Sequence, residues 1–130
     1  MSESQHLGIY IERPAAEVYA YVAKPENLPN WAAGLSGSIE NRDGHWFAQS
    51  PMGEIEVIFV PENPYFVADH DVKLSDGTTF NNPMRVIAHG TGCEVVFTLR
   101  RQPDRSEEEQ QADAAEIRRD LATLKQLLEG

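Results

Sequence analysis

His70 combines residue type and setting better than any other polar residue in this sequence. It stands in Ala68-Asp69-His70-Asp71-Val72, where the two-residue period of a strand puts it on one face with Ala68 and Val72. An imidazole on an apolar face can give or take a proton near neutral pH, so His70 is the candidate general acid or base. The competing reading is a core histidine with its hydrogen bonds satisfied. Asp69 and Asp71 flank it in the chain, yet alternation turns both to the opposite face, so adjacency yields no Asp–His pair. Asn82 and Arg85 straddle Pro83. If a bulge there turns them inward they can polarise a ligand carbonyl; otherwise they belong to a solvated edge. Trp31 offers a large apolar face with one donor, suited either to guarding a pocket mouth or to plain packing.

Other chemistries lack their residues. His6, His45, His70 and His89 are scattered, there is no HExxH, GxSxG or glycine-rich phosphate loop, and Cys93 is the only cysteine. No metal site, disulfide or cofactor is therefore expected, and Cys93, in an apolar strand, reads as an inert buried thiol. Eleven Lys and Arg against 21 Asp and Glu give a formal charge of -10, which repels a phosphate backbone and an anionic membrane surface. No apolar run approaches the roughly 20 residues of a membrane span. With no secretory pattern in Met1-Ser2-Glu3-Ser4-Gln5-His6, a soluble, cytoplasmic protein is the default expectation.

The elements that must position these residues follow from periodicity and punctuation. Leu7, Ile9 and Ile11 alternate with Tyr10 and Glu12 as in a strand, and Arg13-Pro14 ends it. Pro14 suits a helix start, and residues 15–23 predict a short helix with Val18 and Val22 four apart. Lys24 to Gly34 opens with Pro25 and closes on a glycine, which predicts a second, broken helix. From Ser36 to about Arg101 short alternating stretches between turn residues predict a six-stranded antiparallel meander. Its clearest hairpin is at Asp76-Gly77, joining residues 66–74 to 78–88, with a bulge at Asn81-Asn82-Pro83.

The last segment carries the strongest signal. Ser106-x-x-Glu109 fits a capping box, and Glu107, Glu108 and Glu109 suit the positive end of a helix. Ala114, Ile117, Leu121, Leu124 and Leu128 make an apolar stripe. A helix from Ser106 to Glu129 would run roughly 36 Å.

This order of elements resembles the START and Bet v 1-like (SRPBCC) helix-grip superfamily. The resemblance is tightest to its polyketide cyclase/dehydrase branch, in Ile11-Glu12-Arg13-Pro14-Ala15-Ala16-Glu17-Val18-Tyr19-Ala20-Tyr21-Val22 and Pro25-Glu26-Asn27-Leu28-Pro29-Asn30-Trp31. It implies an α+β fold over residues 1–130 as one domain: a curved antiparallel seven-stranded sheet wraps the long C-terminal helix, with two short helices after strand 1. It also implies a cavity between sheet and helix.

The apolar face of each strand then lines that cavity. Trp46, Phe59, Phe66, His70, Phe80, Met84 and Phe97 are expected to look across at Ile117, Leu121 and Leu124, with Trp31, Asn82 and Arg85 at its margins. The leading expectation is binding of a small hydrophobic or aromatic molecule, without nucleic acid and without membrane insertion. The alternatives are a cyclase- or dehydrase-like enzyme using His70, and a protein-interaction module presenting an acidic face.

Overall fold

The computed structural model describes residues 3–35 and 38–130, so Ser36, where the strand-rich stretch is expected to begin, lies outside the described residues. β1 (Gln5–Ile11) buries Leu7 and Ile11 and half-buries Ile9, the face that alternation assigns inward. α1 (Ala15–Val22) follows Pro14 and buries Ala15, Val18, Tyr19 and Val22. A 3-10 turn (Pro25–Asn27) then leads into α2 (Leu28–Trp31), which buries Leu28 and Trp31. Pro25 and Pro29 each stand in the first turn of their helical piece, and because Pro29 cannot donate back to Pro25 the stretch is split in two.

β2 (Ile39–Arg42), β3 (His45–Ser50), β4 (Gly53–Phe59), β5 (His70–Leu74) and β6 (Thr79–Asn82) pair in chain order as an antiparallel five-stranded sheet. β7 (Met84–His89) and β8 (Gly92–Leu99) join β1 in a three-stranded sheet of order β1-β8-β7. The seven strands expected are thus eight among the described residues, because Pro83 divides the predicted 78–88 arm into β6 and β7.

The division is a bend. Ala68 donates its N–H to the Met84 carbonyl at 2.8 Å, Val86 donates to Phe66 at 3.1 Å and Thr98 to Pro83 at 2.9 Å, so backbone bonds run across the junction. The Met84 N–H goes instead to Asp69 Oδ1 at 2.8 Å. A carboxylate has replaced a carbonyl at the one place where the ladder is interrupted by proline.

The primed two-residue turn falls elsewhere than expected. Asp43 and Gly44, between β2 and β3, both have positive φ (55° and 85°), whereas at Asp76-Gly77 only Gly77 does (92°). Asp76 holds a wider loop there by accepting the Thr78 N–H at 2.9 Å.

α3 (Glu107–Glu129) has the predicted capping box: Ser106 Oγ accepts the Glu109 N–H at 3.1 Å and Glu109 accepts the Ser106 N–H at 2.9 Å. Ser106→Ala is expected to cost about 1 kcal/mol in chemical denaturation. At the other end Arg13 Nε donates to the Leu128 carbonyl at 2.8 Å and Lys125 Nζ to the Tyr10 carbonyl at 2.6 Å, fixing α3 against β1. Ala114, Leu121 and Leu124 of α3 share one buried core with Met84, Val86 and Val95. Cys93 lies in that core, and burial pushes its thiol pKa up, which disfavours the reactive thiolate. No helix among the described residues is long and apolar enough to cross a membrane.

Candidate ligand-binding cleft

Toward the N-terminal half of α3 the core opens. Two adjoining, open-sided lobes of about 410 and 360 Å³ lie between α3 and the five-stranded sheet, sharing Met52, Val72, Asn82, Phe97, Glu116 and Ile117. The larger lobe is walled by Leu28, Trp31 and Leu35 on one side and by Ile55 and Val57 of β4 on another. The smaller runs past Phe80 and Leu99 to Arg100, Arg105 and Asp113. Both have chiefly apolar walls, as small-molecule sites do.

His70 lies at the wall of the larger lobe and is only 4% exposed. Its ring stacks on Phe59 at 4.6 Å between centroids and meets the edge of Phe97 at 6.1 Å. Nδ1 lies 3.1 Å from the Ala68 carbonyl, which can only accept, so Nδ1 carries the proton and Nε2 keeps a lone pair. Nε2 makes no hydrogen bond among the described residues. Burial pushes the imidazole below its ordinary pKa, against the opposing pull of the Ala68 carbonyl, Asp69 and Asp71, so the ring is neutral at pH 7.

Asn82 is the cross-strand partner of His70 and lines both lobes, turned inward rather than lying on a solvated edge. Arg85 is not: its guanidinium points outward and grips Asp69 through Nε at 3.0 Å and Nη2 at 3.1 Å. Asp69 gains little from its partial burial, which pushes its pKa up, but the bonds from Arg85 and the Met84 N–H outweigh that and hold it below the usual range. The pairing explains the difference. Asp69 is needed at the bend, and Arg85 follows it to the outer face.

The other expected lining residues divide by location. Trp31, Phe80, Phe97 and Ile117 line the cleft. Met84, Leu121 and Leu124 do not, being fully packed at 0–1% exposure. Phe66, at a positive φ of 59°, packs its ring on Tyr19 of α1 at 5.3 Å. Trp46 sits opposite Val57 on the inward face without reaching either lobe, and Phe59 serves as the floor under His70. Trp31 adds a polar feature, since its indole N–H is buried with no acceptor among the described residues.

Sequence reasoning missed Glu116, Asp120 and Met52. Glu116 lines both lobes and Asp120 the larger one, on either side of Ile117 along α3. Their spacing to Ile117 was the available signal, because residues one before and three after a stripe position form its rim. Asp120 accepts the Ala33 N–H at 3.1 Å. Burial pushes its carboxyl above the usual range; the Ala33 N–H opposes that and the neighbouring Glu116 adds to it. Met52, on the turn between β3 and β4, is 58% exposed at the shared mouth.

No protein-family profile matches the chain, and no curated protein matches it in sequence. Solved structures do match it over its whole length. KanY superposes with a TM-score of 0.75 at 13% identity, covering 100% of both chains. BexL, a di-domain ARO/CYC of the BE-7585A biosynthetic pathway, gives 0.72 at 16% identity over 98% of this chain and 47% of its own, so the chain spans about half of BexL. Ara h 8.0201 gives 0.63 at 12% identity over 96% of each chain. At these identities the likeness is one of fold, and an antiparallel sheet gripping one long helix after two short ones is the helix-grip fold of the START and Bet v 1-like kind.

Proposed function

We propose that this protein binds a small hydrophobic or aromatic molecule in the cleft between α3 and the sheet. The observation that carries the reading is the pair of adjoining apolar lobes, of about 410 and 360 Å³, set beside a densely packed core. Their combined size falls in the range of small-molecule sites. Polar groups with unused capacity support it: the buried Trp31 N–H lacks an acceptor and the neutral His70 Nε2 has no partner. A buried donor left unpaired costs about 1–3 kcal/mol, which an acceptor on a ligand would offset.

The acid–base alternative has less to stand on. Arg85 is tied to Asp69 on the far side, so no cation stands beside His70 and Asn82 at the larger lobe to polarise a carbonyl.

Ile117 is the residue to change, since it lines both lobes from α3 and is only half-buried. Ile117→Trp should fill the shared space and weaken binding of an environment-sensitive naphthalene dye by at least about tenfold, with the melting temperature nearly unchanged. Unaltered dye affinity in a folded Ile117→Trp protein would count decisively against the cleft as the site.

A further inference from the structure

The polar groups of the larger lobe are unbalanced in charge. Glu116 and Asp120 line it, one helical turn apart on α3, and no Lys or Arg does. In the smaller lobe Arg105 is held by Asp113 at 2.7 Å and by Glu109 at 3.3 Å and Arg100 donates to Asn81 at 3.0 Å, while Arg119 acts on Asp120 only as a charged neighbour along α3. Neither Glu116 nor Asp120 forms an ion pair among the described residues. The one protein donor to Asp120 is the Ala33 N–H, and an ideal side chain at Gly34 would lie 3.5 Å from Glu116 Oε1, so the loop after α2 packs against this acidic rim.

A second observation comes from the opposite wall. His70 is 96% buried by its 4% exposure, its Nδ1 proton is taken by Ala68, and what remains at the wall is an acceptor lone pair. Two carboxylates and an imidazole acceptor therefore border one apolar space. Such a set repels a carboxylate or phosphate on a ligand, and it has three places for the N–H groups of a cation. Trp31 completes the wall with an aromatic face, which also favours a cation.

We propose that the cleft selects an apolar or aromatic amine, with the protonated nitrogen toward Glu116 and Asp120 and the hydrocarbon body against Trp31, Ile117 and Phe97. This rests on the cleft being a ligand site and adds the charge of what it takes. Carriers of fatty acids need the opposite lining.

Three compounds with one aromatic body test it: 2-(1-naphthyl)ethylamine, 2-(1-naphthyl)ethanol and 1-naphthaleneacetate, titrated calorimetrically at pH 7. The amine should bind about tenfold tighter than the alcohol, and the acetate about tenfold weaker than the alcohol. In the doubly substituted Glu116→Gln, Asp120→Asn protein, which keeps an acceptor for the Ala33 N–H, the ratio of amine to alcohol affinity should fall to about one. An amine no tighter than the alcohol, or a preference that survives both substitutions, overturns the charge assignment alone. Failure of all three compounds to bind overturns the cleft as a ligand site along with it.

Discussion

Leu121→Ala is expected to lower the unfolding free energy by about 2–5 kcal/mol, read as a drop in the urea midpoint at constant slope, while dye binding in the cleft persists. Leu121 is 1% exposed and shares its core with Leu124 and Met84, both at 0%. Removing its branched end leaves a hole that the tightly packed neighbours cannot close, and the transfer and cavity contributions add. Ile117, one turn earlier on the same stripe, should behave differently. Its side chain already borders open space in both lobes, so truncation to alanine enlarges a cleft instead of creating a void, and the loss should be visibly smaller. A Leu121→Ala penalty under about 1 kcal/mol would mean that the open volume extends along α3 beyond Ile117. The contrast measures where the dry core ends.

That boundary was the part of the site least legible in the sequence. The α3 stripe tells which face turns inward, because three- and four-residue steps are a local property of one helix. It does not tell whether the opposing surface touches that face. Ile117, Leu121 and Leu124 look alike in the sequence, yet only Ile117 meets the cleft. Elements with local chemistry were readable: the Ser106–Glu109 box fixes the start of α3, Pro25 and Pro29 break the second helix, and the alternation of Leu7, Ile9 and Ile11 sets the buried face of β1.

Features set by distant partners were not. Arg85 is drawn outward by Asp69, sixteen residues away, and the same Asp69 supplies the acceptor that lets the sheet bend at Pro83. Phe66 leaves the cavity face through a positive φ that no phenylalanine advertises. Asp76-Gly77 and Asp43-Gly44 offer the same dipeptide, and the strand registers they join decide which one makes the primed turn. Glu116 and Asp120 gain their setting from the loop after α2, a distant segment that lies against them.

The second large effect concerns pH. The burial of His70 lowers its folded-state pKa, while in the unfolded chain the imidazole titrates near its ordinary value of about 6.5. Below that value the unfolded state holds the extra proton and the folded state does not, so stability is full above pH 6.5 and falls as the pH drops, until the buried ring itself is protonated. The loss should reach up to about 2 kcal/mol between pH 7 and pH 5. Asp69 and Asp71 stand near enough to soften this by favouring the imidazolium, and the Ala68 carbonyl does the same through Nδ1. Asp120 works in the other direction, since its raised carboxyl pKa lets the folded state take up a proton first and adds stability as the pH falls through the carboxylate range. His70→Phe keeps a ring against Phe59 and removes the titration. The difference between the two proteins in unfolding free energy against pH should therefore slope between pH 7 and pH 5, whatever the absolute stability of the variant. Parallel curves would mean that the His70 ring takes its proton as easily folded as unfolded, and that its burial against Phe59 and Phe97 gives no bias toward the neutral form.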